Sequence, residues 1–237
     1  MSDINIENLK IAYGDNVVFD GFSAKFPEGK ISVVLGGSGV GKSTLLNAIA
    51  GLLPYDGRID LNGGRVSYIF QNDRLIPAIS VYKNLDLILR AVFKDKSERR
   101  KRIENMLELL EISDLAHKLP TELSGGQAQR VAMARAYLYP SEVLLLDEPF
   151  KALDTALKTR LIKQLVSLHE RENRTVLFVT HAIDECLLVA DEFFVLAGSP
   201  VEVSLRGEIA SDKATRRLDD DDLANKRDIL LKNIMSL

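Results

Sequence analysis

The sequence predicts an α/β fold that combines a mainly parallel sheet, an N-terminal antiparallel β subdomain and an inserted α-helical subdomain. Residues 143–146 and 175–179 are continuous apolar runs, which is typical of strands buried on both faces of a parallel sheet. Residues 4–11 alternate apolar and polar side chains, as a half-exposed strand does. Between residues 81 and 139 apolar side chains recur at helical spacing, which predicts the inserted helices.

The composition is that of an ordinary globular protein. Of the 237 residues 46% are hydrophobic and the net charge is −3, so neither disorder nor a nucleic-acid partner is expected. The single cysteine, Cys186, allows no internal disulfide, fits a reducing compartment and is interpreted as a small buried hydrophobe. The first five residues lack the pattern of a signal peptide, and no apolar run approaches the ~18 residues of a membrane helix.

The first seventy residues predict short antiparallel strands around one βα unit. Residues 13–16 are a predicted turn, and a short strand begins at residue 17. Residues 58–62 and 65–70 flank two glycines, a pattern that predicts a hairpin. The N-terminal third is therefore expected to form an antiparallel β layer beside the parallel sheet.

The most informative stretch is a glycine-rich segment between a predicted strand, residues 31–35, and a predicted helix, residues 45–50. The segment consists of Gly36, Gly37, Ser38, Gly39, Val40, Gly41, Lys42, Ser43 and Thr44. In this context glycines let backbone N–H groups turn inward around a polyphosphate, and the helix N-terminus adds partial positive charge. The pattern favours nucleotide binding over a plain glycine turn, with Lys42 reaching the β- and γ-phosphates and Ser43 ligating Mg²⁺.

The second half of the chain predicts a crossover and a C-terminal segment. A helix over residues 155–171 would join the strands at 143–146 and 175–179 in a βαβ unit. A further helix to about residue 190, a strand over 193–196 and a final helix after the acidic run 219–222 are expected. Those acids would favour the helix N-terminus and do not indicate a metal site.

Residues 94–102 form a run rich in lysine and arginine at the start of a predicted helix. Mixed charge runs of this kind are usually solvated faces, which is the favoured interpretation. Contact with lipid headgroups or with a partner is the alternative.

A second group of motif residues begins within the helical region and ends at the buried strand after it. Ser124 and Gln127 have the spacing of a capping box, and Gly125 and Gly126 would leave bare N–H groups at that helix N-terminus. The buried strand 143–146 then ends in two acids, Asp147 and Glu148. The first suits Mg²⁺ coordination and the second suits polarisation of water. A plain helix start and a polar loop are the alternatives for each pattern taken alone.

In this order the motifs resemble those of the nucleotide-binding subunit of an ATP-binding cassette (ABC) transporter, over roughly residues 4–200. By this resemblance residues 36–44 are the Walker A loop, residues 123–127 the signature and residues 143–147 the Walker B strand. Ala152, Leu153 and Asp154 match the D-loop. The resemblance implies ATP and Mg²⁺ as ligands and a single cassette. Residues 1–71 and 140–200 would form its core and β subdomain, residues 72–139 its helical subdomain and residues 201–237 a tail.

The resemblance also implies roles for single residues. Tyr13 would stack on adenine, and Gln71 would contact Mg²⁺ and the attacking water. Glu148 would be the general base, with His181 holding it and the γ-phosphate in register. Each of these side chains, taken alone, has a structural alternative. As members of one ordered set they point to ATP hydrolysis, with Asp154 contributing from the D-loop.

The partners implied are those of an importer ATPase. Ser124 and the signature glycines would close over the γ-phosphate of a second ATP-binding subunit, in a head-to-tail dimer expected to be a homodimer. Membrane permease subunits, and through them a solute-binding protein, would complete the assembly, with this chain peripheral at the cytoplasmic face of the membrane. Residues 71–77, 181–186 and 195–200 resemble those of nitrate, sulfonate, taurine and pyrimidine-precursor importers, which implies a small anionic or heterocyclic solute.

Two positions depart from the family pattern. Gly37 stands where many relatives have proline, and Lys151 stands where serine is common. Alternatives remain open, namely an ABC ATPase of another transporter, including an exporter, or one without a transport role. A DNA-acting ABC ATPase would need a long coiled-coil insertion, whereas only 82 residues separate Lys42 from Ser124.

Overall fold

The computed structural model describes residues 3–151 and 153–236 of the chain. Ala152, the first residue of the proposed D-loop, lies outside the described residues.

The described chain folds into two sheets and a set of helices, and it contains one strand that the sequence did not predict, at residues 202–208. The strands are β1 (Ile4–Tyr13), β2 (Asn16–Phe26), β3 (Ile31–Gly36), β4 (Asp56–Asp60), β5 (Val66–Ile69), β6 (Val143–Asp147), β7 (Thr175–Val179), β8 (Glu192–Ala197) and β9 (Glu202–Glu208). The helices are α1 (Lys42–Ile49), α2 (Val81–Arg90), α3 (Lys96–Leu109), α4 (Gly125–Leu138), α5 (Thr155–Glu172), α6 (Ile183–Val189) and α7 (Asp221–Met235).

The larger sheet has the order β5-β6-β7-β3-β8-β9, and the smaller sheet has the order β2-β1-β4. The first five strands of the larger sheet are parallel, and β9 is antiparallel to β8. The smaller sheet is antiparallel throughout. The mainly parallel sheet and the antiparallel β subdomain are thereby confirmed, and β6, α5 and β7 form the predicted crossover.

The hairpin predicted for residues 58–70 is wrong. β4 pairs with β1, placing Ile59 opposite Ile6, whereas β5 pairs with β6, placing Ile69 beside Leu146. The two strands therefore belong to different sheets. The glycine pair makes a turn that suits a hairpin, but each strand finds an apolar partner elsewhere, and side-chain packing decides the pairing. The strand predicted to start at residue 17 also begins one residue earlier, and β2 is eleven residues long.

The large sheet separates two apolar cores, because successive side chains of its strands point to opposite faces. Val33 and Leu35 of β3 belong to the core formed with α2, α3, α4 and α5. Val34, between them, belongs to the core formed with α1 and the smaller sheet. The helical region 81–139 thus packs on one face of the sheet and the antiparallel β layer on the other.

The C-terminal segment is integrated into this structure. β9 pairs with β8 along the edge of the large sheet, and α7 buries Leu223 and Leu230. Residues 201–237 therefore contain both an edge strand and a docked helix.

The basic run 94–102 lies at the start of α3, where all three of its arginines have acidic partners. Arg100 and Arg102 pair with glutamates one turn away on the same helix. Arg99 is buried and contacts Asp86 of α2 at 2.7 Å. The exposed pairs within α3 fit the predicted solvated helix start, and the buried pair attaches this helix to α2. Among the described residues, no helix has the length and apolar character needed to cross a bilayer.

His169, on α5, predicts an acid-sensitive fold. The imidazole is 7% exposed, and burial, reinforced by the nearby Lys213, lowers its pKa from 6.5 to about 4, although Asp191 acts in the opposite direction. The unfolded chain therefore binds a proton that the folded chain excludes between these two values, so stability falls as the pH drops through that window. We expect this group to make the protein about 2 kcal/mol less stable at about pH 5 than at about pH 7.

Urea unfolding at both pH values, of the wild type and of His169→Gln, measures this contribution. The variant should lose part of the acid destabilisation. An equal loss of stability in both proteins would contradict the assignment.

Candidate functional site

The glycine-rich loop joins β3 to α1 in a conformation that requires glycine at its two ends. Gly41 has a φ of 114°, and a Cβ there would lie 2.9 Å from Val18 of β2. A Cβ on Gly36 would lie 2.8 Å from the carbonyl oxygen of Leu196. Both distances are shorter than packed atoms allow. Only glycine at these two positions therefore lets the loop pack this closely against its neighbours. Gly37, by contrast, would meet nothing with an added Cβ, and it is exposed.

Lys42 is the first residue of α1, and its side chain folds back over the loop. Its Nζ donates hydrogen bonds to the carbonyl oxygens of Gly36 and Gly37, at 2.9 and 2.7 Å. The side chain is 7% exposed. Burial lowers the pKa of the ammonium, and the negative charges of Glu148 and Asp147 oppose that shift. A cation is therefore held at the base of the loop with neutral carbonyls as its direct partners.

Ser43, the next residue, is joined to the end of β6. Its hydroxyl is hydrogen-bonded to the carboxylate of Asp147, which is 5% exposed. Burial raises the pKa of Asp147, and the hydrogen bond from Ser43 partly offsets that effect. A hydroxyl and a buried carboxylate are hard oxygen donors, which is the set that Mg²⁺ prefers. The residues present therefore fit a magnesium ion.

Gln71 follows β5 and is exposed. Because β5, β6, β7 and β3 are parallel, their carboxyl ends lie at one edge of the sheet. Gln71 consequently lies at the edge where the glycine loop and Asp147 are found. This is the position expected for an amide that acts at the same site.

Glu148 is brought together with His181 at that edge. Its backbone has a φ of 48°, and its N–H donates to the carbonyl of Val179 at 3.0 Å, which ties the end of β6 to β7. The carboxylate Oε1 lies 3.0 Å from Nδ1 of His181, and Oε2 lies 2.8 Å from Nζ of Lys151. Burial would raise the pKa of Glu148, but these two partners outweigh it and the pKa is lowered.

The signature residues lie at the N-terminus of α4, where they make local hydrogen bonds. The Ser124 hydroxyl accepts from the N–H of Gln127 at 3.3 Å, and the Gln127 side chain accepts from the N–H of Ser124 at 2.9 Å. The predicted capping box is confirmed. Ser124 and Gly125 are exposed, and Gly126 is half-buried. Further along α4, Gln129 donates to the carbonyl of Glu148 at 3.2 Å, so this helix also contacts the end of β6.

Tyr13 and Asp154, the remaining predicted site residues, lie at the end of a strand and at the start of a helix. Tyr13 is the last residue of β1, directly before the turn at residues 14 and 15, and 55% of its surface is exposed. Asp154 is the N-cap of α5, and its Oδ1 accepts from the N–H of Leu157 at 2.9 Å. Asp154 therefore has a structural role that the sequence analysis did not assign to it.

Sequence reasoning missed the residues that fix the segment after Gln71. Arg135 of α4 donates to the carbonyls of Asp73 and Arg74 at 2.8 and 2.6 Å. Asn84 of α2 accepts from the N–H of Ile76 at 2.8 Å and donates to carbonyls in the same segment. No local pattern marks these side chains, because their partners lie in a loop that the sequence leaves irregular.

Asn84→Ala is expected to destabilise the protein by about 1–3 kcal/mol, because it removes a buried amide that hydrogen-bonds to part-buried backbone groups of the loop. Urea unfolding measures the change. Asn72→Ala, in the exposed part of the same loop, is the matched control and should stay within about 0.5 kcal/mol of the wild type. Equal stabilities of both variants would contradict a role for Asn84 in fixing the loop.

A second missed network supports His181. The Thr180 hydroxyl donates to Glu185 at 2.6 Å, and the other oxygen of Glu185 lies 2.8 Å from Nζ of Lys158. The segment that carries His181 is thereby attached to α5, the helix that Asp154 caps.

Comparison with known proteins decides the family. A family model described as ABC transporter matches residues 19–151. The taurine import ATP-binding protein TauB of Rhizobium johnstonii is 40% identical over 206 residues, covering 83% of this chain and 79% of that protein. This chain belongs to the ABC transporter family. The resemblance drawn from the sequence is thereby confirmed.

Other relatives of this ABC chain are longer. The sulfate/thiosulfate import ATP-binding protein CysA of Synechocystis is 37% identical over 210 residues, covering 84% of this chain and 59% of that protein. The sn-glycerol-3-phosphate import ATP-binding protein UgpC 2 of Agrobacterium fabrum is 38% identical, with 85% of this chain and 57% of that protein covered. The chain thus spans less than two thirds of the length of these two relatives.

Solved structures agree with the fold class. The dimeric structure of MJ0796, a bacterial ABC transporter cassette, matches with a TM-score of 0.81 and 27% identity, covering 88% of this chain and all of that chain. A dimeric post-hydrolysis state of the same cassette, bound to ADP and Pi, matches with a TM-score of 0.80 and 26% identity. The fold of this ABC chain is that of an ATP-binding cassette.

Proposed function

We propose that this ABC chain binds and hydrolyses ATP and thereby powers the import of a small anionic solute through membrane permease subunits. The observation that carries the proposal is the arrangement at the carboxyl edge of the large sheet. Glu148 contacts His181 there, and the adjoining Asp147 contacts Ser43 of the glycine loop. A general base, a pair of oxygen ligands and a phosphate loop are thus combined at one place.

ATP binding would use the loop and the side chains around it. Backbone N–H groups of residues 36–44 and the Lys42 ammonium would contact the β- and γ-phosphates. Tyr13 would stack on the adenine ring. Ser43 and Asp147, with Gln71, would hold Mg²⁺, which neutralises phosphate charge when bound.

Hydrolysis would depend on Glu148. As a general base the carboxylate accepts a proton from water while the water oxygen bonds to the γ-phosphorus and the bond to ADP breaks. His181 orients the carboxylate through the 3.0 Å contact and would face the γ-phosphate. Burial of Asp147 and Lys42 provides a site of low dielectric, in which fixed charges act strongly on the transferred group.

The signature residues would act on a second copy of the chain. Ser124 and Gly125 are exposed at the N-terminus of α4 and hydrogen-bond only locally among the described side chains. Such a helix N-terminus suits a phosphate that another subunit presents. The dimeric cassettes of the same fold support a head-to-tail dimer with two ATP molecules between the subunits. Asp154 would contribute from the D-loop at the same interface.

The solute and the other partners are inferred from the relatives. Those named above import sulfate or thiosulfate, taurine and sn-glycerol-3-phosphate, and each of these solutes carries an acidic group. This chain would dock on a permease through the loop after Gln71 at the cytoplasmic face of the membrane. A solute-binding protein would contact the permease and not this chain.

Purification of the tagged chain from its native membranes tests the proposal. Two copies of a polytopic membrane subunit in the complex would support it, and a solute-binding protein encoded or bound with that subunit would reveal the solute. Soluble or ribosomal partners alone would overturn the import role and leave an ABC ATPase with another task.

A further inference from the structure

Lys151 occupies a defined place beside Glu148. It lies three residues later in the loop between β6 and α5, and its backbone N–H donates to the carbonyl of Glu148 at 3.2 Å. Its Nζ lies 2.8 Å from Oε2 of Glu148. A tight turn of backbone and an ion pair of side chains therefore join the same two residues.

The carboxylate of Glu148 is held from both sides. Oε1 contacts His181, which follows β7, and Oε2 contacts Lys151, which follows β6. The carboxylate side chain is 13% exposed, whereas the side chains of Lys151 and His181 are 53% and 59% exposed. Both partners therefore approach the carboxylate from the solvent side. The ion pair on one oxygen and the His181 contact on the other together restrict rotation of the carboxylate more than either contact alone.

We propose that Lys151 is a positioning residue for Glu148 in ATP hydrolysis, a role that rests on the function proposed above. A general base must lie within hydrogen-bond reach of the proton that it abstracts, and a displacement of about 1 Å lowers the rate strongly. Lys151 fixes the orientation of the carboxylate that accepts the proton. The lysine stands where serine is common in the family, and a serine hydroxyl carries no charge with which to make this ion pair.

Direct action of Lys151 on a bound phosphate is a different role, and the experiment must distinguish it from positioning of Glu148. The positive charge of Lys151 also acts on Lys42 and Asp147, so it is close enough to the loop to influence bound phosphates directly. Direct action on phosphate would change ATP binding and would persist without the carboxylate of Glu148. Positioning would change turnover and would depend on that carboxylate.

The test is steady-state Mg²⁺-dependent ATP hydrolysis by the full chain with Lys151→Gln, Lys151→Arg and the control Lys163→Gln. Lys163 is an exposed lysine on α5. We expect Lys151→Gln to lower kcat roughly threefold to tenfold, with KM for ATP unchanged within about twofold. Lys151→Arg should restore at least about half of the wild-type kcat, because arginine also pairs with a carboxylate. Thermal unfolding of all variants should match the wild type, since Lys151 is exposed.

A wild-type kcat in Lys151→Gln would overturn the inference, as would an increase in KM alone. In a Glu148→Gln background, adding Lys151→Gln should not lower the residual turnover further. A further fall of the same size would assign direct action on phosphate and also overturn positioning. Failure of the proposed function has a separate signature, namely a wild-type chain without hydrolysis or a Glu148→Gln chain with full activity.

Discussion

Glu148→Gln is expected to lower ATP turnover by about 10²–10⁴ and to trap an ATP-bound dimer. Glutamine keeps the size of the side chain and tolerates the same backbone conformation, in which φ is 48°. It removes the carboxylate that accepts the proton from water, while Lys42, Ser43 and the signature residues remain available to bind ATP. Hydrolysis is the step that would open the dimer, so its loss should leave the dimer closed.

Two measurements check this expectation, namely steady-state hydrolysis and the molar mass by light scattering with Mg²⁺ and ATP. Glu170→Gln, an exposed glutamate on α5, is the matched control and should behave as the wild type. Strictly monomeric elution of Glu148→Gln with ATP would count against the head-to-tail dimer. Retained turnover would exclude Glu148 as the base.

Lys42→Met is expected to weaken ATP binding while leaving the stability of the fold almost unchanged. We expect the Kd for ATP to rise roughly 10- to 100-fold, because each charge-assisted hydrogen bond to phosphate is worth about 1.5–3 kcal/mol. The free energy of unfolding should stay within about 1 kcal/mol of the wild type. Burial disfavours the ammonium and lowers its pKa, so a methionine of similar length removes an unfavourable charge as well as two hydrogen bonds.

Titration with a fluorescent ATP analogue and urea unfolding measure the two quantities on the same preparation. Lys163→Met controls for the loss of a lysine from the surface. An unchanged Kd would show that Lys42 does not contact the phosphates. A large loss of stability would show instead that the hydrogen bonds of Lys42 to Gly36 and Gly37 are a structural requirement of the loop.

Sequence patterns predicted the structure correctly where the interactions join residues that are close together in the chain. The capping box of Ser124 and Gln127 depends on residues three apart on one helix, and it is present as predicted. The buried strands at β6 and β7 were recognisable because continuous apolar runs suit a sheet covered on both faces. The same logic failed for residues 58–70, where two strands on either side of a glycine turn pair with strands far away in the sequence.

By itself, the sequence determined the order of most elements, the glycine loop and the two acids at the end of β6, because backbone conformation and side-chain chemistry are properties of short segments. Only the tertiary structure decided which groups meet. It placed Lys151 and His181 on the two oxygens of Glu148, and it fixed the loop after Gln71 through Arg135. Those contacts join residues up to 62 positions apart, and they depend on strand register and helix packing, which no local spacing encodes.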